Sequence, residues 1–216
     1  PRCRVVARRE SLAMADRTIV RQITASLLEI LRHDLSDTAP PVITPRGNIK
    51  AAPPEDIEDI TAETLILYLY QVIESPYLKN VGPRSTVTSS GTSAEVRKDP
   101  LALDLYYLLI PGAPVEPEDA YLDTYDILGA AMASLHDHGS FTLGDWLPSA
   151  PTEHKDLQFR VDFNRMETSD LIRIWEAVQR PYRLSVSYVV RTARIESQLV
   201  QETPLVSQRN ITLTQR

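Results

Sequence analysis

The sequence predicts an α+β fold, a single domain in which a mixed, mainly antiparallel sheet is packed by about three helices, with extended arms. Three observations predict it. Apolar residues recur at helical spacing over Arg17–Leu35, Ala120–Leu135 and Ser169–Gln179. Between these stretches, Thr64–Ile73 and Leu101–Ile110 are almost continuously apolar, while Leu157–Phe163 and Tyr182–Val190 alternate with a period of two, as strands do. Sixteen prolines against seven glycines make the connections stiff and extended.

Residues 1–13 are charged and aperiodic, and MADRTIV from Met14 reads as a natural start, so the opening reads as an upstream extension. The first helix sets Ile19, Ile23, Leu27, Ile30 and Leu31 close to one face, with Asp16 available as its cap. Ser36–Pro54 contains Pro40, Pro41, Pro45, Pro53 and Pro54, which exclude helix; it is expected to strap across the domain, with a short edge strand around Val42 and Ile43. TLILYLYQVI from Thr64 has the composition of a strand covered on both faces, in the middle of the sheet. The polar connection Ser75–Pro100 is long for a compact domain. It is expected either as a surface loop or hairpin, or as a loop that orders against a neighbouring subunit. LALDLYYLLI from Leu101 pairs naturally with the strand at Thr64. Asp104 interrupts it, and is expected at a strand end or hydrogen-bonded, because a buried unpaired carboxylate is costly.

Tyr121, Tyr125, Leu128, Met132 and Leu135 mark the second helix, with Gly139 suited to a left-handed end and Gly129, Ala130, Ala131 and Ala133 small enough to let the helix approach the sheet. Leu157, Phe159, Val161 and Phe163 alternate with Gln158, Arg160 and Asp162 in a half-buried strand. The last unit changes period once, at Pro181. Leu171, Ile174, Trp175 and Val178 share a helical face behind Ser169 as cap, and Tyr182, Leu184, Val186, Tyr188 and Val190 then form a dry strand face opposite Arg183, Ser185 and Ser187. Trp175 is expected to anchor the helix on that dry face. The chain divides into an extension (1–15), the α+β domain (16–200) and a C-terminal arm (201–216). In the arm, Ile211 and Leu213 alternate with Thr212 and Thr214, and the segment is expected either to add to the edge of its own sheet or, the favoured outcome, to pair with the sheet edge of a neighbouring subunit.

A net charge of −6 and a pI near 5.3 argue against a nucleic-acid partner. Cys3 is the one cysteine, so no internal disulfide forms; a reducing compartment such as the cytoplasm fits. The longest apolar run, Leu65–Tyr70, is far too short to insert in a bilayer. There is no GxGxxG, P-loop or GxSxG spacing. The only metal-like grouping is His136, Asp137 and His138 with His154, and positions i and i+2 of a helix point apart. These histidines define a different reading, a small metal-dependent hydrolase, but they suit a polar helix end better. A trio of nearby serines with His154 and Asp156 lacks a nucleophile elbow, and Glu116, Glu118 and Asp119 sit among prolines as a solvated loop. No catalytic, cofactor-binding or metal-binding residue is assigned, and no cofactor is expected.

Taken together, MADRTIVRQITASLLEILRHDL, LILYLYQVIES, DPLALDLYYLLI, DILGAAMASLHDHG and DLIRIWEAVQRPYRLSVSYVVR resemble one family over about Ala15 to Val200. The chain is similar to the cap proteins of extracellular contractile injection systems, the phage-tail-like particles of the antifeeding-prophage and virulence-cassette types. LGAAMASLHDHG and IWEAVQRPYRLSVSYVV are the most specific pieces. The resemblance implies a structural, non-enzymatic protein, a homo-hexameric ring that terminates the inner tube at the baseplate-distal end and meets the last layer of sheath. It carries over no enzymatic residues. The resemblance also implies assembly in the cytoplasm into a particle that is released or membrane-attached. A tail-completion protein of a contractile phage is the alternative within the same class.

Overall fold

The computed structural model describes residues 18–54, 61–78, 84–87, 93–97, 99–114, 120–195 and 200–204. In chain order its elements are α1 (Ile19–Arg32), β1 (Ile49–Ala51), β2 (Thr64–Glu74), β3 (Arg84–Val87), β4 (Ser93–Arg97), β5 (Leu101–Gly112), α2 (Ala120–Asp137), β6 (Ser140–Thr142), α3 (Leu143–Trp146), β7 (Gln158–Asn164), α4 (Thr168–Ala177), β8 (Val186–Ile195) and β9 (Val200–Pro204). Among the described residues six strands form one mixed sheet in the order β1-β2-β5-β8-β7-β6; only β1 and β2 run parallel. β2 and β5 pair antiparallel as their sequences suggest, from Thr64↔Gly112 to Glu74↔Leu103. β2 is second from the edge rather than central.

Alternation along these strands divides their apolar residues between two faces, which is why both read as continuously apolar. Leu65 and Leu67 of β2 and Leu103, Leu105, Tyr107 and Leu109 of β5 join the larger core with Ile23, Leu27, Ile30 and Leu31 of α1 and Ile127, Ala131 and Leu135 of α2. Ile66, Leu108 and Ile110 turn the other way and join Trp175 of α4 in a smaller core. Each such aliphatic side chain, fully buried, contributes about 1.5–3 kcal/mol. α1 is further tied to β5 by a 2.8 Å hydrogen bond between Thr24 Oγ1 and the hydroxyl of Tyr107, whose burial pushes its pKa up to about 12.

Trp175 therefore anchors α4, but on the face opposite to the one expected. Val186, Tyr188 and Val190 belong to the α1 and α2 side, whereas the indole sits under α4 and donates to Ser185 Oγ. Ser185 and Ser187 are not a wet face. Both are buried, and Ser187 Oγ is bonded to the Tyr70 hydroxyl at 2.9 Å and to Asn164 at 3.0 Å. β8 begins at Val186, leaving Tyr182 exposed ahead of it. The N-cap of α4 is Glu167, with no side-chain cap bond, so Ser169 does not cap it.

The C-terminus of α4 closes by geometry rather than by composition. Arg180 N–H donates to Trp175 O at 3.1 Å and Gln179 N–H to Glu176 O at 3.0 Å, the paired bonds of a Schellman motif, with Gln179 at φ 56° where glycine is usual. Gly139 follows α2 without a left-handed φ. Instead, a side chain there would meet His136 O at 3.2 Å.

In the proline-rich strap, the edge strand is β1, not Val42 and Ile43. Ile43 is instead a fully buried plug whose N–H, like that of Val42, bonds Leu35 O at the end of α1. Arg46 ties the strap to Glu29 of α1 and to Asp37 at the strap's own start, and Arg32 Nε donates to Ile49 O at 3.0 Å. A second sheet, in the order β3-β4-β9, is built from the long connection before β5 and the segment after β8. Val200–Pro204 pairs with β4 of its own chain, from Arg97↔Val200 to Ser93↔Pro204. The rest of the expected arm, Leu205–Arg216 with Ile211 and Leu213, lies outside the described residues, as does the extension 1–15.

Candidate assembly surfaces

Helix α2 is apolar on more than one side. Ile127, Leu128, Ala131 and Leu135 are buried, but Tyr121, Leu122 and Tyr125 in its first turns are 56%, 57% and 50% exposed. The two tyrosine rings meet edge to face at 5.6 Å, so the pair presents a fixed aromatic surface. Asp123 and Asp126 are exposed beside it. Gly129 and Ala133, expected to face the sheet, are exposed as well; Ala131 and Ala130 make the approach instead.

At the other end of α2, Leu135, His136 and Gly139 face Arg160–Phe163 of β7 across a cleft of about 440 Å³ whose wall includes Tyr188. β6 covers β7 only as far as Ser140↔Arg160, which leaves this part of the strand open. Phe163 is 53% exposed at the cleft and packs edge to face on Tyr188 at 5.5 Å. Arg160 Nε donates to Asp162 at 2.8 Å, and Arg191 reaches both Asp162 at 3.7 Å and Asp104 at 4.0 Å, giving β7, β8 and β5 a shared charged ladder. Asp104 is thus in mid-strand, not at an end. It is buried, and its Oδ1 has no hydrogen-bond partner among the described residues.

β1 pairs with β2 only over Leu65–Leu67, so among the described residues no strand covers that edge of β2 from Tyr68 onward. The exposed Val72 and Ile73 lie on this half, and a register shift between Leu69 and Gln71 marks where the strand departs from regular pairing. An irregular, twisted edge is a common way to keep strands from pairing indiscriminately.

The three histidines go to three different settings. His136 is exposed at the cleft. His138 stacks edge to face on Trp146 at 4.9 Å and reaches Asp34 at 3.3 Å. His154, far from peripheral, is buried and hydrogen-bonded to Gln22 of α1 at 2.8 Å. Among the described residues no group of three or more His, Cys, Asp or Glu could hold a metal ion. What does converge is Asp34, which sequence spacing gave no way to find: its partner Ser134 donates to it at 2.7 Å from a hundred positions away, and His33 lies at 2.8 Å. Burial by itself raises the Asp34 carboxyl, but the bonds from His33 and Ser134 and the charges of His138 and His33 outweigh it and hold the group below its ordinary value of 3.8. With no hydroxyl donating to a histidine, this cluster is a joint between the end of α1, the end of α2 and α3, not a nucleophilic triad.

Residues 22–209 match the family described as the Pvc16 N-terminal domain. The fold is similar to a sheath/tube terminator, in the extended state, of the extracellular contractile injection system PVC, with a TM-score of 0.61 at 14% identity over 91% of this chain and 64% of that one. It is also similar to the tube terminating cap of the anti-feeding prophage AFP, with a TM-score of 0.50 at 16% identity over 88% of this chain and 60% of that one. The chain thus spans less than two thirds of the length of either, and at these identities the likeness is one of fold. No curated protein matches the chain in sequence.

Proposed function

Because the chain belongs to the Pvc16 N-terminal domain family, we propose that it is a structural cap that terminates the inner tube of a contractile injection system and contacts the last layer of sheath at the end away from the baseplate. The observation that carries this reading is the family match over residues 22–209, supported by a fold shared with two terminators of such particles. The surfaces fit the role. Exposed aromatic and apolar residues on α2 and β2 and a half-covered sheet edge are what a subunit needs for lasting contacts with protein neighbours. The cap is non-enzymatic, works as a homo-hexamer, and is assembled in the cytoplasm before the particle acts. Among the described residues no helix is long and apolar enough to cross a membrane. Deleting the gene in a producing strain tests the role. Particles with tubes of irregular length, restored by the intact chain, are expected; tubes of normal length and normal sheath contraction without it would overturn the reading.

A further inference from the structure

We infer that copies of this chain associate head to tail, with the tyrosine end of α2 in one copy seated in the cleft at the opposite end of α2 in the next. Three observations converge on a second copy as the occupant. The donor surface is preformed: Tyr121 and Tyr125 are stacked and half exposed, with Leu122 alongside, so few rotamers remain to be frozen on docking. The cleft offers what such rings prefer. The half-exposed ring of Phe163 offers a further aromatic contact, the Arg160 side chain, 73% exposed, can cover a tyrosine face, and His136 and Asp162 line the same cleft as polar partners for a phenol hydroxyl.

The charges agree with this pairing and oppose the symmetric one. Asp123 and Asp126 are exposed beside the tyrosine rings, whereas the cleft wall presents Arg160, its side chain 73% exposed, with Asp162 only 26% exposed beside it. Joining two tyrosine ends would bring Asp123 and Asp126 of both copies together. Joining the tyrosine end to the β7 cleft brings them toward Arg160 instead. Tyr121 and Leu135 are fourteen residues apart on one helix, about 21 Å at 1.5 Å per residue, so a copy cannot fill its own cleft. A contact between two different patches propagates, and closes into a ring if the rotation allows. Closure into a ring rests on the cap reading; the contact itself does not.

The test uses the full chain in a Cys3→Ser background carrying Leu122→Cys and Ser140→Cys, exposed positions beside the stacked tyrosines and on the cleft wall that leave the rings and Arg160 in place. Mild oxidation is expected to give a disulfide ladder of dimer, trimer and higher species when both cysteines share a chain, and no further than dimer when the two single variants are mixed. Arg160→Asp in the otherwise unaltered chain is expected to weaken self-association in sedimentation about tenfold, with Asp126→Arg restoring it. Absence of any ladder from folded double-cysteine protein, or equal cross-linking of Leu122→Cys with itself, would overturn the inference. So would an unaltered chain that stays monomeric at every concentration and salt level. Absence of the protein from particle ends would defeat the cap reading and leave the ladder standing.

Discussion

The indole nitrogen of Trp175 donates to Ser185 Oγ at 3.2 Å, and this bond fixes α4 to the sheet face that the two long helices leave uncovered. The ring is 2% exposed and touches the small core of Ile66, Leu108 and Ile110. Trp175→Ala is expected to cost about 3–5 kcal/mol. Trp175→Phe keeps most of the apolar contact and removes one of the two hydrogen bonds of Ser185 Oγ, which still donates to Arg183 O, so it costs less. Urea denaturation of both variants checks the order; an unchanged midpoint for Trp175→Ala would remove the anchor role.

Gln179 closes the same helix in the left-handed region, at φ 56°. That conformation costs a residue with a Cβ roughly 1–2 kcal/mol, part of which glycine returns as chain entropy. Gln179→Gly is therefore expected to stabilise the domain by about 0.5–1 kcal/mol, read as a higher melting temperature. A lower one would mean that the glutamine side chain supplies more than the strain removes.

Asp34 makes the domain acid-sensitive in a definite window. Its folded pKa lies below 3.8, so the stability it confers is complete above that value and is lost as pH falls through the folded pKa. Denaturation midpoints measured from neutral pH down to about 3 are expected to fall more steeply for the natural chain than for Asp34→Asn, which is weaker at neutral pH but flatter in acid. Parallel curves would show that the carboxylate is not what joins the ends of α1 and α2.

We propose separate roles for two parts of the C-terminal segment. Val200–Pro204 completes the small sheet on β4, so removing it leaves that strand with a bare edge. Deleting only Ser207–Arg216 is expected to leave the unfolding free energy within about 0.5 kcal/mol of that of the natural chain while reducing capping of particles, as an arm that pairs with a neighbour would. Full capping by the truncated chain would assign the contacts to the domain faces alone.

Much of this architecture can be read from apolar period. The strands at Thr64 and Leu101, both long helices and the strand at Phe159 stand where their patterns place them, because each buries a row of side chains set by backbone geometry. The misplacements have a common cause. Period tells which residues share a face, not what covers it, so Ser185 and Ser187 look wet although α4 and Tyr70 bury them, and Gly129 and Ala133 look like packing residues although they lie outside. β1 is legible only through its partner: three residues, Ile49–Ala51, form a strand because Leu65–Leu67 offers an edge. The Asp34 joint and the α2 cleft leave still less trace, since both are assembled from residues on different elements and neither has a fixed spacing.

The cap role is tested most directly by locating the chain on purified particles. Particles carrying a tagged chain, labelled with gold and imaged by electron microscopy, are expected to show label only at the end opposite the baseplate, with mass measurement giving six copies per particle. Label spread along the sheath, confined to the baseplate, or absent from intact particles would contradict the account.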